Sequence, residues 1–290
     1  MLISQAIKIS IQKLNNAGIN SSYIDSIILM QYALNLESKE QVIFATPERN
    51  LSQTESEKFF SFIKRRQSRE PVSYIINKRE FYGYDFYINK NTLDPRPDSE
   101  TIIELFREIV DRNKNYKILD IGTGSGCLAI TILLEFPNII GTAIDISQDA
   151  IEVCKINIDK FKLNNRLRAK KFDILNCDNF IFNISSEKFD IIISNPPYIS
   201  TCDINKLQDE IRNYEPRIAL DGGIDGLDFY KKIAESAEML LKKNGLIFLE
   251  IGDNQDLDIE RIFIKNKLKL ISKKKDLSQR YRAMSFEFIG

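Results

Sequence analysis

Apolar strand-like runs alternate with helical patterns from Tyr116 onward, and this alternation constrains the fold more than any other feature of the 290-residue chain. A strand–helix–strand order of this kind predicts an α/β fold with a doubly wound, mostly parallel sheet. The predicted strands are 117–121, 139–145, 167–172, 189–194, 246–251, 268–271 and 284–289, and the predicted helices are 128–136, 150–161, 230–241 and one near Ile259.

The N-terminal region has helical patterns instead. One helical face is shared by Ile3, Ile7, Ile11 and Leu14. A later helix is predicted to follow the box Thr54-Glu55-Ser56-Glu57. Aromatic residues around Gly83 then predict a β-hairpin. The sequence predicts three parts: a helical bundle over 1–72, a hairpin linker over 73–93 and the α/β domain over 94–290. A packing role and a partner-recognition role for the bundle both stay open.

The amino-acid composition limits the partners and catalytic groups that we expect for this chain. Lys+Arg and Asp+Glu both number 41, so the formal net charge is zero and gives no bulk attraction to nucleic acid. The chain has no histidine, which removes the commonest general base and the commonest neutral metal ligand. Its cysteines (Cys127, Cys154, Cys177 and Cys202) form no CxxC pair, so we expect neither a metal site nor a disulfide framework.

The N-terminus has no basic lead followed by a long apolar core, and no stretch reaches the ~20 apolar residues of a membrane helix. From the sequence we expect a soluble, cytoplasmic monomer that does not bind membranes.

A glycine-rich segment follows the first predicted strand of the α/β domain. It reads Asp120-Ile121-Gly122-Thr123-Gly124-Ser125-Gly126, with the spacing G-x-G-x-G; the dinucleotide fingerprint would place its third glycine at position 127, which is Cys127. Glycines between a strand and its helix allow the backbone to approach a ligand closely. This placement favours a binding loop over a plain turn.

Two carboxylates end the next strands. Asp145 ends the second strand, where a carboxylate can accept hydrogen bonds from both hydroxyls of a ribose. Asp173 ends the third, where it suits either an adenine amino group or a helix N-cap. The phosphate-binding motif G-x-x-x-x-G-K-[ST] is absent. A nucleoside site without polyphosphate binding indicates S-adenosylmethionine, whose product is S-adenosylhomocysteine.

The Asn-Pro-Pro-Tyr segment (195–198) follows the apolar strand 189–194. Neither proline can donate a backbone hydrogen bond, so the strand must stop there. An amide, two carbonyls and a ring at this position suit a planar NH2 group. We expect the NH2 group that accepts a methyl group to donate hydrogen bonds to the Asn195 side-chain oxygen and the Pro196 carbonyl, while the Tyr198 ring packs against it. The alternative is that the segment only begins a loop and places the tyrosine on the surface.

The motifs together resemble those of the release factor glutamine methyltransferases, the PrmC/HemK family, over nearly the whole chain. The matching segments are Glu70-Pro71-Val72-Ser73-Tyr74-Ile75, Arg79-Glu80-Phe81-Tyr82, Pro95-Arg96-Pro97-Asp98-Ser99-Glu100, the glycine segment, the Asn-Pro-Pro-Tyr segment, Tyr214-Glu215-Pro216-Arg217 and Ala219-Leu220-Asp221-Gly222-Gly223. The Asn-Pro-Pro-Tyr segment is shared with adenine-N6 methyltransferases, whereas the proline–arginine entry and the N-terminal domain are more specific.

The resemblance implies a class I S-adenosylmethionine-dependent methyltransferase with a Rossmann-like sheet and a small N-terminal helical domain. It implies methylation of the glutamine amide in the Gly-Gly-Gln loop of class I peptide chain release factors, with no nucleic-acid substrate. Two residues depart from the family: Ser99 stands where Thr is usual, and Ile174 stands where some relatives have an aromatic residue against the adenine. An adenine-N6 methyltransferase acting on nucleic acid is the alternative.

The resemblance and the strand-end pattern give a set of candidate site residues. Those expected to contact the cofactor are Gly122, Thr123, Gly124, Ser125, Gly126, Asp145, Asp173, Ile174 and Asn195, and those expected to hold the glutamine are Asn195, Pro196, Pro197 and Tyr198.

Overall fold

The structure is a computed structural model that describes residues 1–45, 47–176 and 188–290, so Cys177 lies outside the described residues. The helices are α1 (Ile3–Asn16), α2 (Ser22–Ala33), α3 (Gln53–Gln67), α4 (Val72–Ile76), α5 (Glu100–Ile109), α6 (Cys127–Glu135), α7 (Gln148–Lys160), α8 (Asp209–Tyr214), α9 (Asp228–Leu240) and α10 (Asp256–Lys265). The strands are β1 (Arg79–Phe81), β2 (Tyr84–Phe86), β3 (Tyr116–Ile121), β4 (Ile139–Asp145), β5 (Leu167–Lys171), β6 (Phe189–Ser194), β7 (Leu241–Glu250), β8 (Leu268–Lys275) and β9 (Tyr281–Phe288).

The chain forms two compact units. The first comprises Met1–Lys78 and Gln208–Tyr214, and the second comprises Arg79–Leu207 and Glu215–Gly290. The chain therefore leaves the second unit and returns to it around α8. Among the described residues, no helix is long and apolar enough to cross a bilayer.

The first unit is helical, as the apolar spacing predicts. Ile3, Ile7 and Leu14 of α1 pack into a core that also contains Phe59 and Ile63 of α3. The predicted start of α3 is wrong by two residues. Ser52 caps the helix by accepting from the Glu55 backbone N–H at 3.2 Å, and the Glu55 carboxylate accepts from the Ser52 N–H at 2.9 Å. The predicted box, Thr54 with Glu57, and the box that begins two residues earlier, Ser52 with Glu55, both match the capping pattern in sequence. The earlier box forms the cap.

The first unit also contains a buried ion pair. The Arg66 guanidinium donates to the Asp25 carboxylate at 2.8 Å, and both side chains are less than 10% exposed. The same guanidinium donates to Glu210 of α8 at 3.3 Å. This arginine therefore links α3 to α2 and to the returning segment.

The second unit contains the predicted hairpin and the predicted sheet. Strands β1 and β2 pair antiparallel. The seven-stranded sheet has the order β5-β4-β3-β6-β7-β9-β8, parallel from β5 to β7 and antiparallel for the last two pairings. The α/β fold with a mostly parallel sheet is therefore confirmed.

The strand order reverses at β3, because β4 and β5 lie on one side of it and β6 and β7 on the other. In open α/β sheets, ligands bind outside the carboxyl ends of the strands at this reversal. Central β3 and β6 are apolar and buried on both faces, so polar groups accumulate where these strands end.

Candidate active site

A cavity lies at the carboxyl ends of β3, β4 and β6. Most of the candidate site residues line it together: Gly122, Thr123, Gly124, Ser125, Asp145, Asp173, Ile174, Asn195, Pro196 and Pro197. Gly126 and Tyr198 are not among the described residues that line it. Ser99, Phe172, Pro216 and Phe229 also line the cavity, and sequence reasoning assigned none of them a binding role.

The glycine loop (122–126) forms one wall of this cavity. Gly122 and Gly124 have φ values of +71° and +54°, a region that disfavours other residues. A Cβ on either residue would meet no atom within 4 Å, so each glycine leaves space open for a ligand. Gly126 is close-packed, because a Cβ there would lie 2.8 Å from the Cys154 sulfur.

Asp145 holds the glycine loop from the end of β4. Its carboxylate accepts hydrogen bonds from the Gly124 N–H and the Ser147 N–H, each at 2.9 Å. Burial raises the pKa of Asp145, and these backbone donors oppose that effect. A preorganised, half-buried carboxylate beside the loop suits the hydroxyl groups of a ribose.

Asp120, the last polar residue within β3, is fully buried below the loop. Thr123 Oγ1 donates to Asp120 Oδ2 at 2.6 Å, whereas Oδ1 has no hydrogen-bond partner among the described residues. Burial raises the pKa of Asp120 to about 7. Asp120 is not among the described residues that line the cavity, so its carboxylate supports the glycine loop through Thr123.

The end of β5 contributes an acidic and an apolar group. Asp173 lines the cavity and accepts from the Leu175 N–H at 2.9 Å, so it also caps the turn that follows. Ile174 is 6% exposed and lines the cavity together with Phe172. This wall therefore contains both an aliphatic and an aromatic side chain.

A buried asparagine supports the glycine loop from behind. Asn157 of α7 donates to the Ser125 carbonyl at 2.8 Å and to the Tyr87 carbonyl at 2.9 Å, and its own oxygen accepts from the Tyr87 N–H at 2.8 Å. In the sequence, the signal that could have identified Asn157 was a polar residue on the buried face of an amphipathic helix.

The Asn-Pro-Pro-Tyr segment is held tightly at the end of β6. Ser194 Oγ donates to the Ile121 carbonyl at 2.7 Å, which ties β6 to the start of the glycine loop. The Gln255 side chain donates to the Tyr198 carbonyl at 3.0 Å. Both contacts fix the backbone on either side of the two prolines.

The side chains of this segment contact residues distant in sequence. Asn195 Nδ2 donates to Ser99 Oγ at 3.2 Å, and the Tyr198 hydroxyl donates to Glu250 Oε1 at 3.4 Å. Burial is the main cause that raises the pKa values of Tyr198 and Glu250, the latter to about 7. In the sequence, the place of Ser99 in the proline–arginine motif was a signal that it belongs to the site. Glu250 gave no such signal, because it is an isolated glutamate at the end of a strand.

Another buried carboxyl, that of Glu215, connects two of the sequence motifs. Arg96 donates a hydrogen bond to Glu215, which is 6% exposed. Burial raises the pKa of Glu215 to about 7, although Arg96 opposes this shift. Their neighbours Pro95 and Pro216 both line the cavity. The ion pair therefore joins the two motifs beside the ligand space.

Among the described residues that line the cavity, the cysteine is not a thiolate. Cys127 lines it, and burial raises the pKa of its thiol to about 12, so the group is neutral at physiological pH. The arrangement can bind and orient a nucleoside and a planar amino or amide group.

Known proteins match the chain over both units. The PrmC N-terminal domain model matches residues 5–76, and the methyltransferase small domain model matches residues 97–212. A release factor glutamine methyltransferase of Clostridium acetobutylicum is 37% identical over 261 residues, which are 90% of this chain and 89% of that protein. The chain belongs to the release factor glutamine methyltransferase family. The resemblance seen in the motifs is thereby confirmed.

Other relatives are longer. A bifunctional methyltransferase of Rickettsia felis is 37% identical over 315 residues, which are 99% of this chain and 58% of that protein. The chain thus spans little more than half the length of such relatives. The crystal structure of a methyltransferase from Pyrococcus furiosus shares the fold with a TM-score of 0.52 and 21% identity, over 72% of this chain and 91% of that one. Membership of a methyltransferase family implies S-adenosylmethionine as the methyl donor.

Proposed function

We propose that the protein transfers a methyl group from S-adenosylmethionine to the side-chain amide nitrogen of a glutamine, namely that of the Gly-Gly-Gln loop of class I peptide chain release factors. One observation carries the proposal: the Asn195 amide and the glycine loop line the same cavity. Relatives named release factor glutamine methyltransferases, similar along almost their whole length, support this acceptor.

The residues present fit the methyl donor. Gly122 and Gly124 leave space where any side chain would intrude, which suits close backbone approach of a ligand. Asp145 would accept from the ribose hydroxyls, and Asp173 and Ile174 would contact the adenine. When bound, S-adenosylmethionine supplies an activated methyl group and leaves as S-adenosylhomocysteine, and the methylated amide nitrogen releases one proton to solvent.

The protein's part is to prepare the acceptor. An amide nitrogen is a poor nucleophile because its lone pair is delocalised. Hydrogen bonds from its two N–H groups to Asn195 Oδ1 and the Pro196 carbonyl would favour a tetrahedral nitrogen, and Pro197 and Tyr198 would confine the amide plane. Positioning of this kind can supply much of the rate without a histidine base.

The proposal extends to the organisation of the chain. We propose that the N-terminal helical region (1–72) recognises the release factor, that residues 73–93 link it to the rest, and that residues 94–290 perform the transfer. The same proposal includes a cytoplasmic location, because a release factor acts with the ribosome. It also includes a monomeric enzyme that neither binds membranes nor methylates nucleic acid.

One assay tests the acceptor. The protein is incubated with methyl-labelled S-adenosylmethionine and, in separate reactions, with a class I release factor, the same factor with its Gly-Gly-Gln glutamine changed to alanine, and an adenine-bearing oligonucleotide. We expect label only on the unmodified factor. Label on the oligonucleotide and none on the factor would establish the adenine-N6 alternative.

A further inference from the structure

The centre of the Asn-Pro-Pro-Tyr segment has no backbone donors with which to anchor itself. Pro196 and Pro197 lack an N–H group, so the backbone groups that they offer are carbonyls, which only accept. The Pro196 carbonyl is one of the two groups that we expect to hold the acceptor NH2. Its position therefore depends strongly on contacts at the two ends of the segment.

Gln255 holds the carboxyl end of the segment, as Ser194 holds the other end. Its Nε2 donates to the Tyr198 carbonyl at 3.0 Å and to the Gly226 carbonyl at 3.4 Å. Its Oε1 accepts from the Gly252 N–H at 3.0 Å. A carbonyl can only accept and an N–H can only donate, so these three backbone partners permit a single orientation of the amide.

This one side chain joins three parts of the second unit. Tyr198 ends the Asn-Pro-Pro-Tyr segment, Gly226 lies in the loop after the Ala-Leu-Asp-Gly-Gly motif, and Gly252 lies just beyond β7. A Cβ on Gly226 would be 2.4 Å from the Tyr198 carbonyl oxygen. A Cβ on Gly252 would be 2.5 Å from Gln255 Oε1. Backbone without side chains therefore encloses the Gln255 amide closely on two sides.

We propose that Gln255 is a positioning residue for methyl transfer: by holding the Tyr198 carbonyl, it fixes the segment whose Asn195 and Pro196 oxygens receive the acceptor NH2 group. The inference deepens the proposed glutamine methylation and rests on it for the identity of the acceptor. Gln255 is not among the described residues that line the cavity, so its effect reaches the acceptor through Tyr198.

A purely structural role is the alternative, because Gln255 is also the N-cap residue of α10, although its side chain makes no capping hydrogen bond. A negative charge at a helix N-terminus is favourable, so a residue that only begins the helix would tolerate glutamate or gain stability from it. A clamp on a carbonyl would not, because an ionised carboxylate has no proton to donate and repels the Tyr198 oxygen. Gln255→Glu therefore separates the two roles.

The first test compares Gln255→Glu with Gln255→Met. At pH 8 the glutamate is ionised; it keeps the bond from the Gly252 N–H and loses both donors, whereas methionine, of similar length, loses all three bonds. We expect kcat for a release factor to fall at least about tenfold in both variants, since small misplacements of reacting groups have large effects on rate. KM for the factor and the calorimetric affinity for S-adenosylmethionine should stay within about threefold of the wild type.

The matched control is Gln279→Glu, the same change at an exposed position of the second unit, and it should keep the wild-type kcat. Wild-type kcat in a folded Gln255→Glu variant would overturn the proposal and leave only the structural role. A loss confined to cofactor affinity, with kcat unchanged, would overturn it as well.

A spectroscopic test does not depend on methyl transfer. In protein labelled with ¹³C at the tyrosine carbonyl carbons, the Tyr198 signal is identified by its loss in Tyr198→Phe. This signal should shift upfield in Gln255→Met, because its carbonyl loses a hydrogen bond, and should stay in place in Gln279→Glu. An unchanged signal in a folded Gln255→Met variant would refute the clamp even if Gln255→Glu did not fold.

The two proposals fail in different ways. Wild-type protein that labels no release factor contradicts the proposed acceptor, and the Tyr198 carbonyl signal still decides whether Gln255 holds the segment. Label on the factor together with wild-type kcat in Gln255→Glu contradicts only the role of Gln255.

Discussion

Gly222 lies directly against the Pro197 carbonyl: a Cβ on this glycine would be 2.7 Å from that oxygen and 2.9 Å from the Tyr198 Cα. Two backbone hydrogen bonds, from Gly222 N–H to the Ile199 carbonyl at 2.8 Å and from Ile199 N–H to the Leu220 carbonyl at 3.1 Å, hold the two segments together. The Ala-Leu-Asp-Gly-Gly motif therefore supports the Asn-Pro-Pro-Tyr segment from behind.

Gly222→Ala should displace this segment, because the atoms that a methyl group would meet belong to backbone and cannot turn aside. We expect kcat to fall roughly 10- to 100-fold, since small misplacements of reacting groups have large effects on rate. Cofactor affinity should change less than about threefold. Steady-state kinetics and calorimetry measure both quantities, with Leu277→Ala, at a fully exposed position, as the control. Normal kcat in the alanine variant would contradict the prediction.

Asn195→Ala should abolish transfer while cofactor binding stays measurable. The variant removes the amide that we propose accepts from the glutamine NH2, yet leaves Gly122, Gly124 and Asp145 in place. Single-turnover methylation and calorimetry on the same preparation test this. Turnover close to that of the wild type would remove Asn195 from the mechanism.

Asp145→Asn should weaken S-adenosylmethionine binding roughly tenfold, because it removes the charge from an acceptor that the Gly124 N–H already orients. Calorimetry measures the loss, and Asp149→Asn, an exposed position on the neighbouring helix α7, is the control. Equal affinities for the two variants would show that Asp145 only stabilises the loop.

The pH dependence of stability should differ between the wild type and Glu250→Gln. The pKa of Glu250 is about 7 in the folded protein, above its value of about 4.5 in the unfolded chain, so the folded state binds the proton more tightly. Stability from this group is therefore full below pH 4.5 and is lost as the pH rises through 7, by about 3 kcal/mol in total.

Urea denaturation at pH 5 and pH 8 measures this effect. The wild type should lose more stability than Glu250→Gln over that interval, and the contributions of Asp120 and Glu215, common to both proteins, cancel in the comparison. Parallel curves for the two proteins would contradict the elevated pKa.

Asp25→Ala should destabilise the first unit by about 3 kcal/mol, because it leaves the Arg66 guanidinium buried without its closest carboxylate. Hydrogen exchange of the amides in α2 and α3 reports the change within that unit. Glu152→Ala breaks an exposed pair with Lys155 and should cost less than about 1 kcal/mol. Similar losses for the two variants would contradict the importance of burial.

Local patterns in the chain predicted the strands, most of the helices and the main walls of the cavity. Apolar runs such as 189–194 specify buried strands wherever they fold, and glycines or prolines at their ends specify how the chain leaves them. The α3 cap shows the limit of such patterns. Two equivalent boxes stand two residues apart, and the local sequence did not distinguish Ser52 from Thr54.

By itself, the sequence determined the alternating fold, the glycine loop and the position of Asn195 at a strand end, because each depends on residues close together in the chain. Only the tertiary structure decided what those groups contact. Ser99 and Asn195 are 96 residues apart, and Tyr198 and Glu250 are 52 apart. Hydrogen-bond partners at such separations are selected by the packing of β6 and β7 and the entry to α5, and no local periodicity encodes that choice.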